Sequence, residues 1–158
     1  MESNKIIKSP FVKEFMIFSR DGKCIYHIDF EDLSINNKVL DVNVNKKLEN
    51  RHKIIAGLLF SLKNFMKDIP EKQKDYLKSF STSQYKLHFQ EFINGLKFVI
   101  ISIPTKVEYS GLLREMFKKY YTPLISYKLS VEPYDKNAII TNKLFDELVI
   151  SYLSKVNF

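Results

Sequence analysis

The chain has 158 residues, a formal net charge of +7 and a single cysteine, Cys24. This length fits one domain that folds without a metal or disulfide, and a lone cysteine cannot form an internal disulfide. We therefore expect a reducing compartment. The longest apolar runs, at 54–60 and 98–101, are far shorter than the ~20 residues of a membrane-spanning helix, and we expect no secretion signal.

The positive charge suggests an acidic partner, which is a nucleic acid, an anionic membrane surface or an acidic protein. The lysines are spread along the chain, which is more typical of solvated faces than of one compact binding stripe. The sequence contains no zinc-ligand spacing, RNP-type aromatic strand or helix-turn-helix pattern that would read bases. We therefore expect no nucleic-acid partner, and a peripheral contact with an anionic membrane remains open.

The first elements are two strands. Residues 14–20 and 23–30 are rich in apolar side chains and flank Asp21-Gly22, a pair typical of a two-residue type I′ hairpin turn. Residues 1–13 are mixed and basic, and we interpret them as an N-terminal extension outside the core. We assign the single domain to residues 14–158.

A helix follows a long insertion. Residues 31–50 are rich in Asn and charge, and we interpret them as an inserted loop. From Arg51 the apolar period changes to three and four residues, which predicts a helix with Asn50 as N-cap and Pro70 as its stop. Its broad apolar face contains Ile54, Ile55, Leu58, Leu59, Leu62, Phe65, Met66 and Ile69.

Three strands come next. The first is predicted around residues 77–81, and a hairpin of strands 85–93 and 96–103 turns at Asn94-Gly95. The second half of the last strand carries apolar residues on both of its faces, so both faces of the sheet must be covered.

Two helices complete the chain. Thr105 and Glu108 have the spacing of a capping box, which predicts a helix start there, and Pro123 should end or kink that helix. Residues 144–156 predict a last amphipathic helix capped by Thr141 or Asn142. The order ββαβββαα predicts an α+β fold, a longin- or profilin-like three-layer α/β/α sandwich around a five-stranded, mainly antiparallel sheet.

Catalysis is not favoured by this sequence. Cys24 lies within a strand with no base beside it, so a buried structural thiol is the better interpretation. His27, His52 and His88 stand at unrelated positions without ligand-like spacing. Four glycines cannot assemble a P-loop or a dinucleotide fingerprint. We expect no catalytic site, no metal and no cofactor.

Several side chains are instead candidates for a partner interface. Helix residues on a second apolar seam exceed what one sheet face requires, and exposed apolar patches mark interfaces. Polar residues that alternate along a strand with apolar ones can form hydrogen bonds with a partner protein. Hydration or local hydrogen bonding at the rim of the sheet is equally consistent with this pattern. The candidates are Leu58, Leu62, Met66, Tyr85, Lys86 and His88.

Four stretches resemble a known family: "FMIFSRDGKCIYH" (15–27), "AGLLFSLKNFMKDI" (56–69), "SFSTSQYKLHF" (79–89) and "GLKFVI" (95–100). They are similar to the smallest longin-like core subunit of the TRAPP vesicle-tethering complex, in the sedlin/longin-like family. The resemblance covers most of residues 14–156, and "TSQYKLH" (82–88) is its most specific part. The 31–50 insertion, Thr122-Pro123 and residues 1–13 depart from the family pattern.

The resemblance implies a subunit without an active site of its own. Such a subunit packs beside other small TRAPP subunits, and the assembled core loads a Rab-type GTPase with GTP in ER-to-Golgi transport. It would be cytoplasmic and peripheral to Golgi and ER-derived membranes. Another longin-fold trafficking module, such as an adaptor small chain or a longin-type SNARE, and a profilin-like ligand-binding domain are the alternatives.

Overall fold

A computed structural model describes residues 11–30, 46–68, 79–92, 94–126 and 138–155. Within these ranges the predicted order ββαβββαα is confirmed. The elements are β1 (Val12–Phe18), β2 (Cys24–Asp29), α1 (Lys46–Lys67), β3 (Ser79–Ser81), β4 (Lys86–Glu91), β5 (Lys97–Ser102), α2 (Ser110–Met116), a π-helical continuation of α2 (Phe117–Ser126), and α3 (Lys143–Ser154).

The five strands form one antiparallel sheet in the order β2-β1-β5-β4-β3. β5 lies between β1 and β4 in the sheet, and its side chains are buried on both faces, as the apolar run predicted. Val99 and Ile101 face the layer that contains α1, whereas Phe98 and Ile100 face α2 and α3. The three-layer α/β/α arrangement is therefore confirmed.

The two hairpins close differently from the predicted two-residue turn. Gly22 has a φ of 85°, its N–H donates to the Ser19 carbonyl at 2.9 Å, and the Ser19 N–H donates to the Lys23 carbonyl at 2.8 Å. This pattern is a three-residue loop with glycine in the left-handed region. Gly95, with a φ of 81°, closes the β4–β5 hairpin with the same pair of hydrogen bonds between residues 92, 95 and 96.

Two boundaries near the N-terminus differ from the prediction. β1 begins at Val12, which is buried, so the predicted extension contributes its last two residues to a core strand. α1 begins at Lys46, so Asn50 lies inside the helix instead of capping it. Residues 46–50 are therefore helical, and the rest of the predicted insertion, 31–45, lies outside the described residues, as do Pro70 and residues 1–10.

The predicted capping box is wrong. α2 begins at Ser110, and the Thr105 hydroxyl accepts a hydrogen bond from the Val107 N–H at 3.1 Å in the loop before it. Glu108 does not reach back to Thr105, because its carboxylate pairs with Lys86 of β4. The lysine offers a charged donor, which a carboxylate prefers to a neutral backbone N–H.

Pro123 does not end the second helix. The helix widens into its π-helical continuation at Phe117, passes through Pro123 and ends at Ser126. The wider turn moves the backbone carbonyl that a proline ring would strike in an α-helix. The Thr122 hydroxyl donates to the Phe117 carbonyl at 2.9 Å, which satisfies one acceptor of this turn.

α3 matches the prediction. The Asn142 side chain accepts from the Phe145 N–H at 3.0 Å and caps the helix. The Tyr26 hydroxyl of β2 donates to Asp146 at 2.6 Å, so a polar contact as well as the buried Phe145 fixes α3 on the sheet.

Candidate protein-interaction surface

One flank of α1 exposes apolar side chains. Ile54 is 71% exposed and Phe65 61%, and both share this flank with the half-buried Leu58. Residues spaced four and eleven apart lie on the same side of a helix, so these three form a continuous line. Such exposure costs solvation free energy, and apolar surface of this kind is typical of contacts between proteins.

The line continues across the sheet edge. A groove of about 160 Å³ separates α1 from the β3–β4 turn, and its lining is mainly apolar. Phe80 and Tyr85 stand on its far wall, 41% and 48% exposed. We name Ile54, Leu58, Phe65, Phe80 and Tyr85 together the apolar stripe.

The β3–β4 turn holds Tyr85 in this position. The Thr82 hydroxyl accepts from the Tyr85 N–H at 3.0 Å and from the Gln84 N–H at 3.3 Å. The Thr82 N–H donates to the Tyr85 carbonyl at 2.8 Å. Thr82 thus closes a tight turn with its side chain, and this is a physical reason for the threonine in "TSQYKLH".

Of the helix residues that the sequence suggested, Leu58 lines the groove. Leu62 and Met66 are half-buried, whereas Ile55 and Leu59 are buried against the sheet. The sequence interpretation did not separate Ile54 and Phe65 from this core-facing set, and it did not single out Phe80. A helical projection finds the first two, because they lie to one side of the sheet-facing row that contains Ile55 and Leu59.

Lys86 lies in the interior and is not displayed at the surface. Only 4% of it is exposed, and its ammonium donates to the Thr105 carbonyl at 3.0 Å, the Val107 carbonyl at 3.1 Å and Glu108 at 3.0 Å. Three acceptors satisfy all three donors of a lysine. Lys86 is therefore too buried to contact a partner protein, contrary to the expectation from the sequence.

His88 is fully buried beside it. Its Nε2 atom lies 2.9 Å from the Ser102 hydroxyl, which itself donates to the Ile103 carbonyl, so the histidine donates and the serine accepts. Burial and the positive charge of Lys86 lower the pKa of His88 to about 4. The neutral ring joins β4 to β5. His88 is therefore also not available to a partner at the surface, contrary to the expectation from the sequence.

A second buried polar cluster was missed by the sequence interpretation. The Nε2 atom of His27 lies 2.8 Å from the Glu14 carboxylate, and its Nδ1 atom lies 2.8 Å from Nε2 of His52. Arg51 donates to both carboxylate oxygens of Glu14. We name Glu14, His27, Arg51 and His52 the polar clamp. It fastens the first half of α1 to β1 and β2.

Electrostatics fix the charges in the polar clamp. Burial by itself would raise the pKa of Glu14, but the hydrogen bond from His27 and the charge of Arg51 bring this pKa below its ordinary value. Burial, His27 and Arg51 together lower the pKa of His52 to about 4. Glu14 is therefore a carboxylate and His52 a neutral ring at neutral pH. In the described ranges no group of three or more His, Cys, Asp or Glu is arranged to hold a metal ion.

The thiol is structural, as predicted. Cys24 is buried on the α1 side of the sheet, and its Sγ donates to the Tyr26 carbonyl at 3.3 Å. Burial raises the pKa of this thiol to about 12, so little thiolate forms at neutral pH. In the described part of the chain no helix is long and apolar enough to cross a membrane.

Comparison with known proteins gives a consistent result. Residues 12–156 match the model of the Sybindin-like family. The chain is 29% identical over 147 residues to "Trafficking protein particle complex subunit 1" of Dictyostelium discoideum, covering 89% of this chain and 92% of that protein. It is 27% identical over 154 residues to the human protein of the same name, covering 93% and 94%.

A yeast relative agrees with them. "Trafficking protein particle complex subunit BET5" of Saccharomyces cerevisiae is 27% identical over 155 residues, covering 90% of this chain and 96% of that protein. The family match spans β1 to the end of α3, and it includes the Thr82 turn, Lys86 and His88. The chain belongs to the Sybindin-like family.

Proposed function

We propose that this chain is a non-catalytic subunit of a TRAPP-type vesicle-tethering complex and packs beside other small subunits. The supporting relatives carry the name of that complex and match the chain over nearly their whole length. The apolar stripe supplies a surface for such packing. The single observation that carries the proposal is the exposure of Ile54 and Phe65 on a helix whose sheet-facing side already fills the core.

We further propose a role in the assembled complex. There the chain adds to the surface that activates a Rab-type GTPase in ER-to-Golgi transport, while its lysines give the assembly a peripheral contact with anionic Golgi or ER-derived membranes. Each lysine near an anionic leaflet contributes about 1 kcal/mol, so several orient a complex without anchoring one subunit. The subunit itself supplies binding surface and no catalytic group.

Co-expression with the other small subunits from the same cell tests the packing. The unmodified chain should elute with them as a stoichiometric complex on gel filtration. Ile54→Glu combined with Phe65→Glu should abolish this, because two carboxylates would be desolvated in the contact. Leu144→Glu is the matched control, since Leu144 is 51% exposed on α3, on the other side of the sheet.

The gel-filtration result shows whether the apolar stripe is the surface that contacts the other subunits. A complex that survives the double substitution, or is lost equally with Leu144→Glu, would show that the apolar stripe is not the contact. A chain that never co-elutes with any of these subunits would contradict the proposed function itself. Nucleotide release from the GTPase, measured with the complex reconstituted with and without this chain, tests the second proposal.

A further inference from the structure

The opposite flank of α1 borders a larger groove with a different chemistry. This groove has a volume of about 620 Å³ and lies between α1 and the tips of the β1–β2 and β4–β5 hairpins. Its lining contains five cationic side chains and two carboxylates, Asp21 and Glu91. The cations are Arg20, Lys53, Lys63, Lys67 and Lys97. We name it the basic groove.

The helical wall of the groove is regular. Lys53, Phe60 and Lys67 are spaced seven residues apart and share one flank with Lys63. Phe60 is 64% exposed on this wall, and the buried side chains of Phe18 and Leu59 border the groove beneath it. The basic groove therefore offers apolar side chains flanked by positively charged ones.

The facing wall is set by two glycines. A Cβ atom on Gly22 would lie 3.7 Å from the Cβ of Ala56, so this hairpin tip approaches α1 closely. A Cβ atom on Gly95 would lie 2.6 Å from Cγ of Arg20, so the arginine stem crosses the other tip where only glycine leaves space. The two hairpin tips and Arg20 thus form one continuous wall.

Most of the positive charge is not neutralised within the groove. Lys63 pairs with Glu91 at 2.9 Å, and Lys53 pairs with Glu49 of its own helix at 3.2 Å. Neither Arg20 nor Lys67 forms an ion pair with another residue of the described ranges. These two cations stand on opposite walls, so an anionic chain running along the groove would meet both.

We propose that the basic groove binds an acidic segment of a partner protein, with an apolar side chain of that segment seated against Phe60. Charge complementarity favours an acidic ligand, and the apolar side chains around Phe60 favour a peptide over a simple anion. The concave shape favours an extended chain over a planar bilayer, which can touch only the rims. The apolar stripe occupies the other flank of α1, so this inference stands independently of the proposed subunit contact.

Fluorescence anisotropy on the purified full chain tests the proposal. The probe is a short fluorescein-labelled peptide of glutamates around two central leucines. It should bind saturably and more weakly at high salt, because ions screen exposed charges. Arg20→Glu combined with Lys67→Glu should weaken binding by about tenfold or more, since repulsion replaces attraction at two positions. Lys118→Glu, the same kind of charge reversal at one exposed lysine in the π-helical continuation of α2, should alter affinity by less than about twofold.

Two further measurements separate the apolar contribution to binding from the charge contribution and from loss of folding. Phe60→Ser should weaken the leucine-containing peptide and leave an all-glutamate peptide unaffected. Thermal unfolding of each variant shows that it is folded. The proposal is overturned if a glutamine version of the peptide binds equally well, if the double variant binds like the unmodified chain, or if the chain binds phosphatidylserine vesicles through Arg20 and Lys67 but not the peptide.

Discussion

The Nδ1 atom of His27 and the Nε2 atom of His52 lie 2.8 Å apart and join β2 to α1. Both rings are buried. A single hydrogen occupies the space between two such nitrogens, so one donates and the other accepts. Because Glu14 holds the far side of His27, the position of α1 on the sheet depends on a defined protonation pattern as well as on Ile55 and Leu59.

Acidification should destabilise the fold. The pKa values of His52 and His88 are lowered to about 4, whereas an unfolded histidine titrates near 6.5. Between these values the unfolded chain binds protons that the folded chain does not, so the free energy of unfolding falls as pH falls from about 6.5 to about 4. The loss should be roughly 1–3 kcal/mol for each histidine, and the contribution is fully present above pH ~6.5.

Urea unfolding across this pH range measures the effect. His52→Gln combined with His88→Gln lowers stability at every pH but should flatten the slope between the two values. An equally steep slope in the double variant would mean that other groups cause the acid sensitivity. The lowered pKa of Glu14 adds a loss of the same sign at lower pH, so the comparison is made above about pH 4.5.

The polar clamp should respond unequally to loss of its members. Glu14→Ala leaves the buried His27 ring and the Arg51 guanidinium without their shared acceptor, and we expect a loss of about 2–4 kcal/mol. Arg51 is 45% exposed at its side chain, so water replaces part of what Arg51→Ala removes, and the loss should be about 1 kcal/mol. Chemical denaturation measures the free energy of unfolding of the two variants. Equal losses of stability would contradict the conclusion that Glu14 is the buried centre of the polar clamp and Arg51 its partly exposed member.

The sequence was sufficient to predict the fold because its strongest signals are local. The change of apolar period at α1, the glycines of the two hairpins and the apolar run 98–101 of β5 together indicated the element order. The helix starts at Lys46 and Ser110 were missed for one reason. A capping pattern shows only which side chains are able to cap, and at Glu108 a tertiary partner, Lys86, took the carboxylate instead.

The candidate surface was predictable only in part. Alternation correctly placed Lys86 and His88 on the face opposite Leu87, but it cannot show that residues 105–109 fold over that face and bury both. Likewise, Glu14 and His27 sit at core-facing strand positions, a local signal of a buried polar pair. Their link to His52 depends on how α1 crosses the sheet, and no short-range pattern contains that information.

Lys86 should be a major determinant of stability. Lys86→Met keeps most of the length of the side chain but removes the ammonium that donates to two backbone carbonyls and to Glu108, so we expect a loss of about 2–4 kcal/mol. Lys106→Met is the matched control, because Lys106 is exposed in the same loop, and it should change stability by less than about 0.5 kcal/mol. Similar unfolding midpoints for the two variants would rule out the three-acceptor site as a stabilising contact.

The two hairpin glycines should differ in how they respond to alanine. Gly22→Ala and Gly95→Ala both place a side chain at positive φ, which costs roughly 1–2 kcal/mol. At Gly22 the new methyl group meets Ala56 at an ordinary distance, whereas at Gly95 it collides with Cγ of Arg20. Gly95→Ala should therefore lose about 1 kcal/mol more, and Arg20→Ala in the same chain should restore part of that excess. A double-mutant cycle by urea unfolding measures the coupling, and strictly additive losses would show that the arginine stem does not lie over this turn.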